Sequence, residues 1–137
     1  MTTDALMSSV VTLRPFVPAK DFQSSQRFYE ALGFTVTPLS EKIARVLLGK
    51  GRDTASFLLQ DFYVKEWAEN HMMQLVVADL DRWWQHIESL ELDKRFGVGP
   101  PRPPKEESWG LRVAYLWDPA GVLWHITAAG HAKPAGA

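Results

Sequence analysis

Five positions of this chain recur in kind 58 residues later. Asp21, Phe22, Ser25, Tyr29 and Leu32 are answered by Asp79, Leu80, Trp83, Ile87 and Leu90, each at that one offset. In each set the last four residues fall on one face of a helix. The aspartate ahead of them is suited to accept hydrogen bonds from first-turn N–H groups. A β-rich stretch precedes each helix, VVTLRPFVP within 9–18 and HMMQLVVA over 71–78. A strand–helix unit repeated at fixed distance means two copies of one module, and neither copy can bury its apolar face alone.

The rest of the chain fills in each module. Pro15 and Pro18 make the first strand an edge or an irregular one, and Gly33 closes the first helix. Strands are predicted at 34–39, 42–49 and 54–61, with Gly49-Lys50-Gly51-Arg52-Asp53 as the hairpin between the last two. DFYVKEWAEN (61–70) is a short connector. In the second half the prolines of GVGPPRPPKEES (97–108) exclude helix and impose extended geometry, as in a stiff flap beside a pocket. WGLRVAYLW (109–117) is a strand that enters the turn Asp118-Pro119-Ala120-Gly121. Beyond the turn Val122, Trp124 and Ile126 alternate with Leu123, His125 and Thr127. We expect one domain of two modules, about 10–62 and 70–128, with disordered ends at 1–8 and 130–137, which sets His131 aside.

Composition closes several function classes. A formal net charge of −1 provides no basic field for nucleic acid. No apolar run approaches the ~18 residues of a membrane span. Without cysteine there is no disulfide, thiolate metal site or cysteine nucleophile. The start MTTDALMSSVVT lacks the basic n-region of a signal peptide, so a cytoplasmic protein is expected.

The motifs D-x6-F-Y-x2-L-G-F, from Asp21 to Phe34, and D-P-x-G-x-L-W, from Asp118 to Trp124, flank Val77, Asp79 and Leu80. In order and spacing they resemble the vicinal oxygen chelate superfamily of glyoxalases, extradiol dioxygenases, fosfomycin-modifying enzymes and bleomycin resistance proteins. The resemblance covers about residues 10 to 128. It implies an α+β fold of two βαβββ modules whose curved mixed sheets close around a cleft, often across a homodimer. Metal-dependent members hold their ion with residues from four strands, and those slots fall here on Arg14, Gln60, Met72 and His125. A guanidinium repels a metal and a thioether suits only soft ions, which leaves His125 with Gln60. A Zn, Fe or Mn site needs about three protein ligands. His71 adjoins the Met72 slot, but strand alternation turns it to the other side. Pro103-Pro104-Lys105, Trp109-Gly110-Leu111-Arg112-Val113 and the Asp118 turn are similar to the metal-free bleomycin-resistance branch. Its members sequester a flat cationic glycopeptide in the cleft of a dimer and catalyse nothing. They are typically acidic where this chain is nearly neutral, so the resemblance implies the cleft and leaves the guest open.

On that geometry the cleft is lined by Arg14, Phe16, Leu58, Gln60, Asn70, Met72, Gln74, Val113, Tyr115, Trp117, Leu123 and His125. Trp109, Trp117 and Trp124 suggest an aromatic wall beside the histidine. Aromatic surface with a few convergent polar groups is the usual makeup of a small-molecule site. Arg14, if buried, demands an anion from Glu66, Glu69 or a ligand. Asn70 and Gln74 can orient a guest but cannot move protons. His125 can serve as metal ligand, proton carrier, hydrogen-bonding contact or core histidine, and strand parity favours contact with a guest. The expected function is binding or sequestering an aromatic or antibiotic-like molecule in the cleft of a homodimer, with no cofactor, nucleic acid or membrane. The alternative is a lyase, isomerase or dioxygenase with a divalent metal ion around His125 and Gln60. In that case His125 and Tyr115 are the candidate catalytic residues.

Overall fold

Each aspartate that opens a repeat does cap a helix. In the computed structural model, which describes residues 2–50 and 55–130, the Asp21 carboxylate accepts from Ser24 N–H at 3.0 Å and Asp79 from Arg82 N–H at 3.1 Å. The helices that follow are α2 (Phe22–Leu32) and α4 (Leu80–Ser89); α1 (Thr3–Ser8) precedes the first module. Gly33 ends α2 in the left-handed region, φ +105°, where a side chain would be strained.

The first module continues with β1 (Phe16–Pro18), β2 (Thr35–Pro38), β3 (Ile43–Leu48) and β4 (Ala55–Gln60), ordered β1-β4-β3-β2. After α3 (Lys65–Glu69), the second has β5 (Met72–Val77), α5 (Leu92–Phe96), β6 (Arg102–Glu106), β7 (Arg112–Trp117) and β8 (Leu123–Ala128), ordered β5-β8-β7-β6. In both sheets the outer strand next to the last one runs parallel to it, and the remaining pairs are antiparallel. The fold is therefore α+β, two βαβββ modules with mixed sheets.

Strand parity decides what each sheet buries. Val17, Ala44, Val46, Phe57 and Leu59 of the first sheet and Ala114, Leu116, Trp124 and Ile126 of the second belong to one core with Phe28, Tyr29, Leu80 and Ile87 of the helices. The Phe57 and Trp124 rings, one from each sheet, lie 5.7 Å apart, so the inner faces meet directly. The opposite faces point away from that core. Among the described residues the outer faces of the two sheets of one chain do not close on each other.

Other expectations need correction. The first strand is three residues, not 9–18: the Pro15 carbonyl still accepts from Leu58 N–H at 2.9 Å, but Val11 and Leu13 are 95% and 89% exposed. Residues 3–8, expected without order, form α1, with the Thr2 hydroxyl at its N-cap and no buried residue. The connector 61–70 contains α3, and the chain before the proline-rich stretch contains α5. The proline-rich stretch itself supplies β6 as an edge strand. Its pairing slips between Arg102 and Lys105, where Pro103 and Pro104 have no N–H to give. Residues 51–53 of the expected hairpin, position 54 and the end 131–137 with His131 lie outside the described residues. No helix among the described residues is long and apolar enough to cross a membrane.

Candidate functional site

Because Trp124 and Ile126 are drawn into the core, the alternation of β8 turns Leu123, His125 and Thr127 to the outer face. In register beside them stand Met72 and Gln74 of β5 and Tyr115 and Trp117 of β7. Tyr115 meets His125 edge to face, centroids 4.9 Å apart. Its hydroxyl donates to Glu107 at 3.0 Å. Burial first, and then this carboxylate, raise the Tyr115 pKa above the ordinary tyrosine value, only partly offset by Arg102. The phenol is thus a poor proton source and a firm hydrogen-bonding group. His125 Nε2 and Thr127 Oγ1 are both shut off from water with no hydrogen-bond partner among the described residues. A buried polar atom without a partner costs about 1–3 kcal/mol. A hollow of about 190 Å³ lies along Gln74, Val76, Leu111 and Thr127 on this face.

The outer face of the first sheet carries Phe16 of β1, Arg45 and Leu47 of β3, and Ser56, Leu58 and Gln60 of β4. Arg14 reaches it too, but is exposed and donates from Nε to Ser56 Oγ at 2.8 Å, so it makes no buried ion pair with Glu66 or Glu69. Gln60 and His125 stand on separate faces that diverge from the common core, and one chain does not bring them together. His71 is turned to Phe16 O, 3.1 Å from its Nε2. Among the described residues no three His, Asp or Glu side chains converge as a metal would require.

Three expected residues sit elsewhere. Asn70 ends α3 and spends its amide on the Glu66 carbonyl at 2.7 Å. Trp109 is on the β6–β7 hairpin, 57% exposed, where Gly110 takes φ +93°. Trp124 is in the core, so of the three tryptophans only Trp117 shares the face of His125.

A larger recess, about 550 Å³, opens at the Trp117 end of the second sheet, between α3, the 97–102 segment and the Asp118 turn. Two cations on its walls lie over aromatic rings, Lys20 over Tyr63 at 5.5 Å and Arg102 over Trp117 at 5.3 Å. Asp118 at its edge is almost wholly buried and pushed up to about 6 by burial. Hydrogen bonds from Tyr29 Oη (2.5 Å), Val122 N–H (3.0 Å) and Ala120 N–H (2.8 Å) oppose that shift without cancelling it. Trp124 Nε1 in turn donates to Tyr29 Oη at 3.1 Å. Spacing alone marked Asp118 as a turn residue and Tyr29 as core; a hydrogen bond across 89 positions leaves no local signal.

Solved structures share this architecture. A bleomycin-binding protein complexed with bleomycin is 24% identical, with TM-score 0.68, and the match covers 88% of this chain and all of the other. An antibiotic-binding protein from Streptomyces sp. CB03234 is 24% identical over 89% of this chain and 98% of its own, TM-score 0.65. A glyoxalase/bleomycin resistance protein/dioxygenase from Nocardioides is 19% identical over 98% of this chain and all of its own, TM-score 0.65. No protein-family model and no curated protein matches the sequence. The chain therefore has the fold of the bleomycin-resistance and glyoxalase proteins, the fold that the motif resemblance implied.

Proposed function

We propose that this protein is a small-molecule-binding protein that holds an aromatic, antibiotic-like guest against its outer sheet faces, with no metal in the grip and no reaction. The observation that carries it is His125: an imidazole nitrogen closed to water, unpartnered among the described residues, set edge to face with Tyr115 on the outer face of the second sheet. Solved proteins of this fold include two whose described role is binding bleomycin or another antibiotic. We further propose a homodimer, in which the first-sheet face of one chain covers the second-sheet face of the other and the guest lies between.

The test is binding of a panel of aromatic antibiotics, followed by calorimetry and tryptophan fluorescence. Saturable binding is expected, weakened by ~1–3 kcal/mol in His125→Ala through loss of one buried polar contact. That variant should melt within a few degrees of the parent. A panel without any saturable binder, or full affinity in His125→Ala, sinks the proposal.

A further inference from the structure

The outer faces carry a charge that the chain as a whole does not. Arg14 and Arg45 stand on the first sheet; Arg102 and Lys105 lie in register with Tyr115 and Val113 on the second. Glu107, held by the Tyr115 hydroxyl, is the one carboxylate that meets these faces through a hydrogen bond among the described residues, and Glu69 stands on the far wall of the recess. Among the described residues none of the four cations forms an ion pair there, for the two bridges between described residues are Lys94–Glu91 and Arg112–Asp81. Four positive groups thus gather on these faces in a chain whose net charge is −1. One sign of charge collected in a concavity focuses its field on whatever enters.

Arg45 fixes where that field is used. Its neighbours Ala44 and Val46 are fully buried on the inner side, which turns Arg45 outward, opposite Leu58 and Thr37. Its Nε is closed to water yet has no acceptor among the described residues. Ser56, which anchors Arg14, is two residues along β4 from Leu58, a separation of about 7 Å. Both guanidinium groups therefore serve one stretch of the face, bordered by the exposed ring of Phe16. A planar oxyanion fits a guanidinium fork, and an apolar ring fits the Phe16–Leu58 surface beside it.

We infer that the guest is an acidic aromatic molecule, whose carboxylate or equivalent oxyanion is taken by Arg45 with Arg14 in support. This rests on the ligand-binding proposal above and adds the guest's charge to it. A cationic guest would meet like charge on both faces.

Two probes that share a dansyl ring separate the cases: dansylglycine ends in a carboxylate, and dansyl-aminoethyl-trimethylammonium in a fixed cation. With the whole protein at low salt, fluorescence titration should show dansylglycine binding at least fivefold more tightly. Arg45→Gln should remove most of that advantage, Arg45→Lys should keep part of it, and Arg14→Gln should give a smaller loss. Equal or tighter binding of the cationic probe overturns the inference while leaving the ligand-binding proposal standing. Saturable binding of neither probe removes both. An Arg45→Gln protein that melts with the parent and still prefers the carboxylate by the full margin also overturns it. Should Arg45→Gln fail to fold, the two-probe comparison on the parent and the Arg14→Gln titration decide.

Discussion

Tyr29 ties the two halves of the molecule together. Its hydroxyl accepts from Trp124 of β8 and donates to Asp118 of the β7–β8 turn, with all three side chains buried. Tyr29→Phe leaves a buried N–H and a buried carboxylate each short of a partner, so a loss of about 2–4 kcal/mol is expected in denaturant unfolding. Asp118 adds a pH dependence whose sign follows from its raised value. Between the ordinary value of 3.8 and about 6 the folded chain holds a proton that the unfolded chain has lost. Its contribution is full below pH 3.8 and is lost as pH rises through 6. Relative to Asp118→Asn, the parent should gain roughly 2–3 kcal/mol as pH falls from 7.5 to 4, since one pKa unit is about 1.4 kcal/mol. A difference between the two proteins that does not vary over that range would assign Asp118 an ordinary carboxylate. At this scale the sequence is informative where parity rules. The outward turn of His125 follows from the apolar run Val122, Trp124, Ile126, whereas preferring Arg45 to Arg14 required knowing that β1 begins only at Phe16.

Elements were legible where they carry their own signal. The two capped helices and strands β2 to β5, β7 and β8 follow from caps, glycines and alternation, within a few residues. Helix α5 does not. Five residues are too few for helical periodicity, and no glycine marks the break from α4, since Glu91 itself takes the left-handed conformation at φ +49°. Packing holds it: Leu92 is buried and Phe96 meets Phe28 edge to face at 5.4 Å. Leu92→Ala should therefore cost about 2–4 kcal/mol in urea unfolding, as for other leucines truncated in a core. A loss below ~1 kcal/mol would show that α5 is only an appendage. Strand β6 escaped notice for the converse reason, as its prolines speak against a strand until β7 is there to pair with its edge.

For the whole molecule, the decisive quantity is apolar surface that the described residues leave exposed. On the outer faces Met72 and Val76 of the second sheet are 64% and 55% exposed and Phe16 of the first 47%, and the segment before β1 leaves Val10, Val11 and Leu13 in water. Monomeric proteins seldom expose contiguous apolar patches of more than a few hundred Å². Among the described residues this surface has no cover, because the inner faces of both sheets are already joined through Phe57, Tyr29 and Trp124. A second copy can supply it by laying its second sheet over the first sheet of its partner, which also brings Gln60 and His125 to opposite walls of one cleft, the arrangement across a homodimer that the motif resemblance implied. Sedimentation velocity at micromolar concentration should then report twice the chain mass of 15.5 kDa. A Phe16→Asp and Met72→Asp double variant places a carboxylate on each face and should sediment as a monomer, with its far-ultraviolet circular dichroism preserved and its affinity for aromatic guests lost. A parent that sediments as a monomer removes the dimer and leaves any guest bound to one open face. A double variant that stays dimeric moves the interface elsewhere, to the exposed segment at residues 10–15.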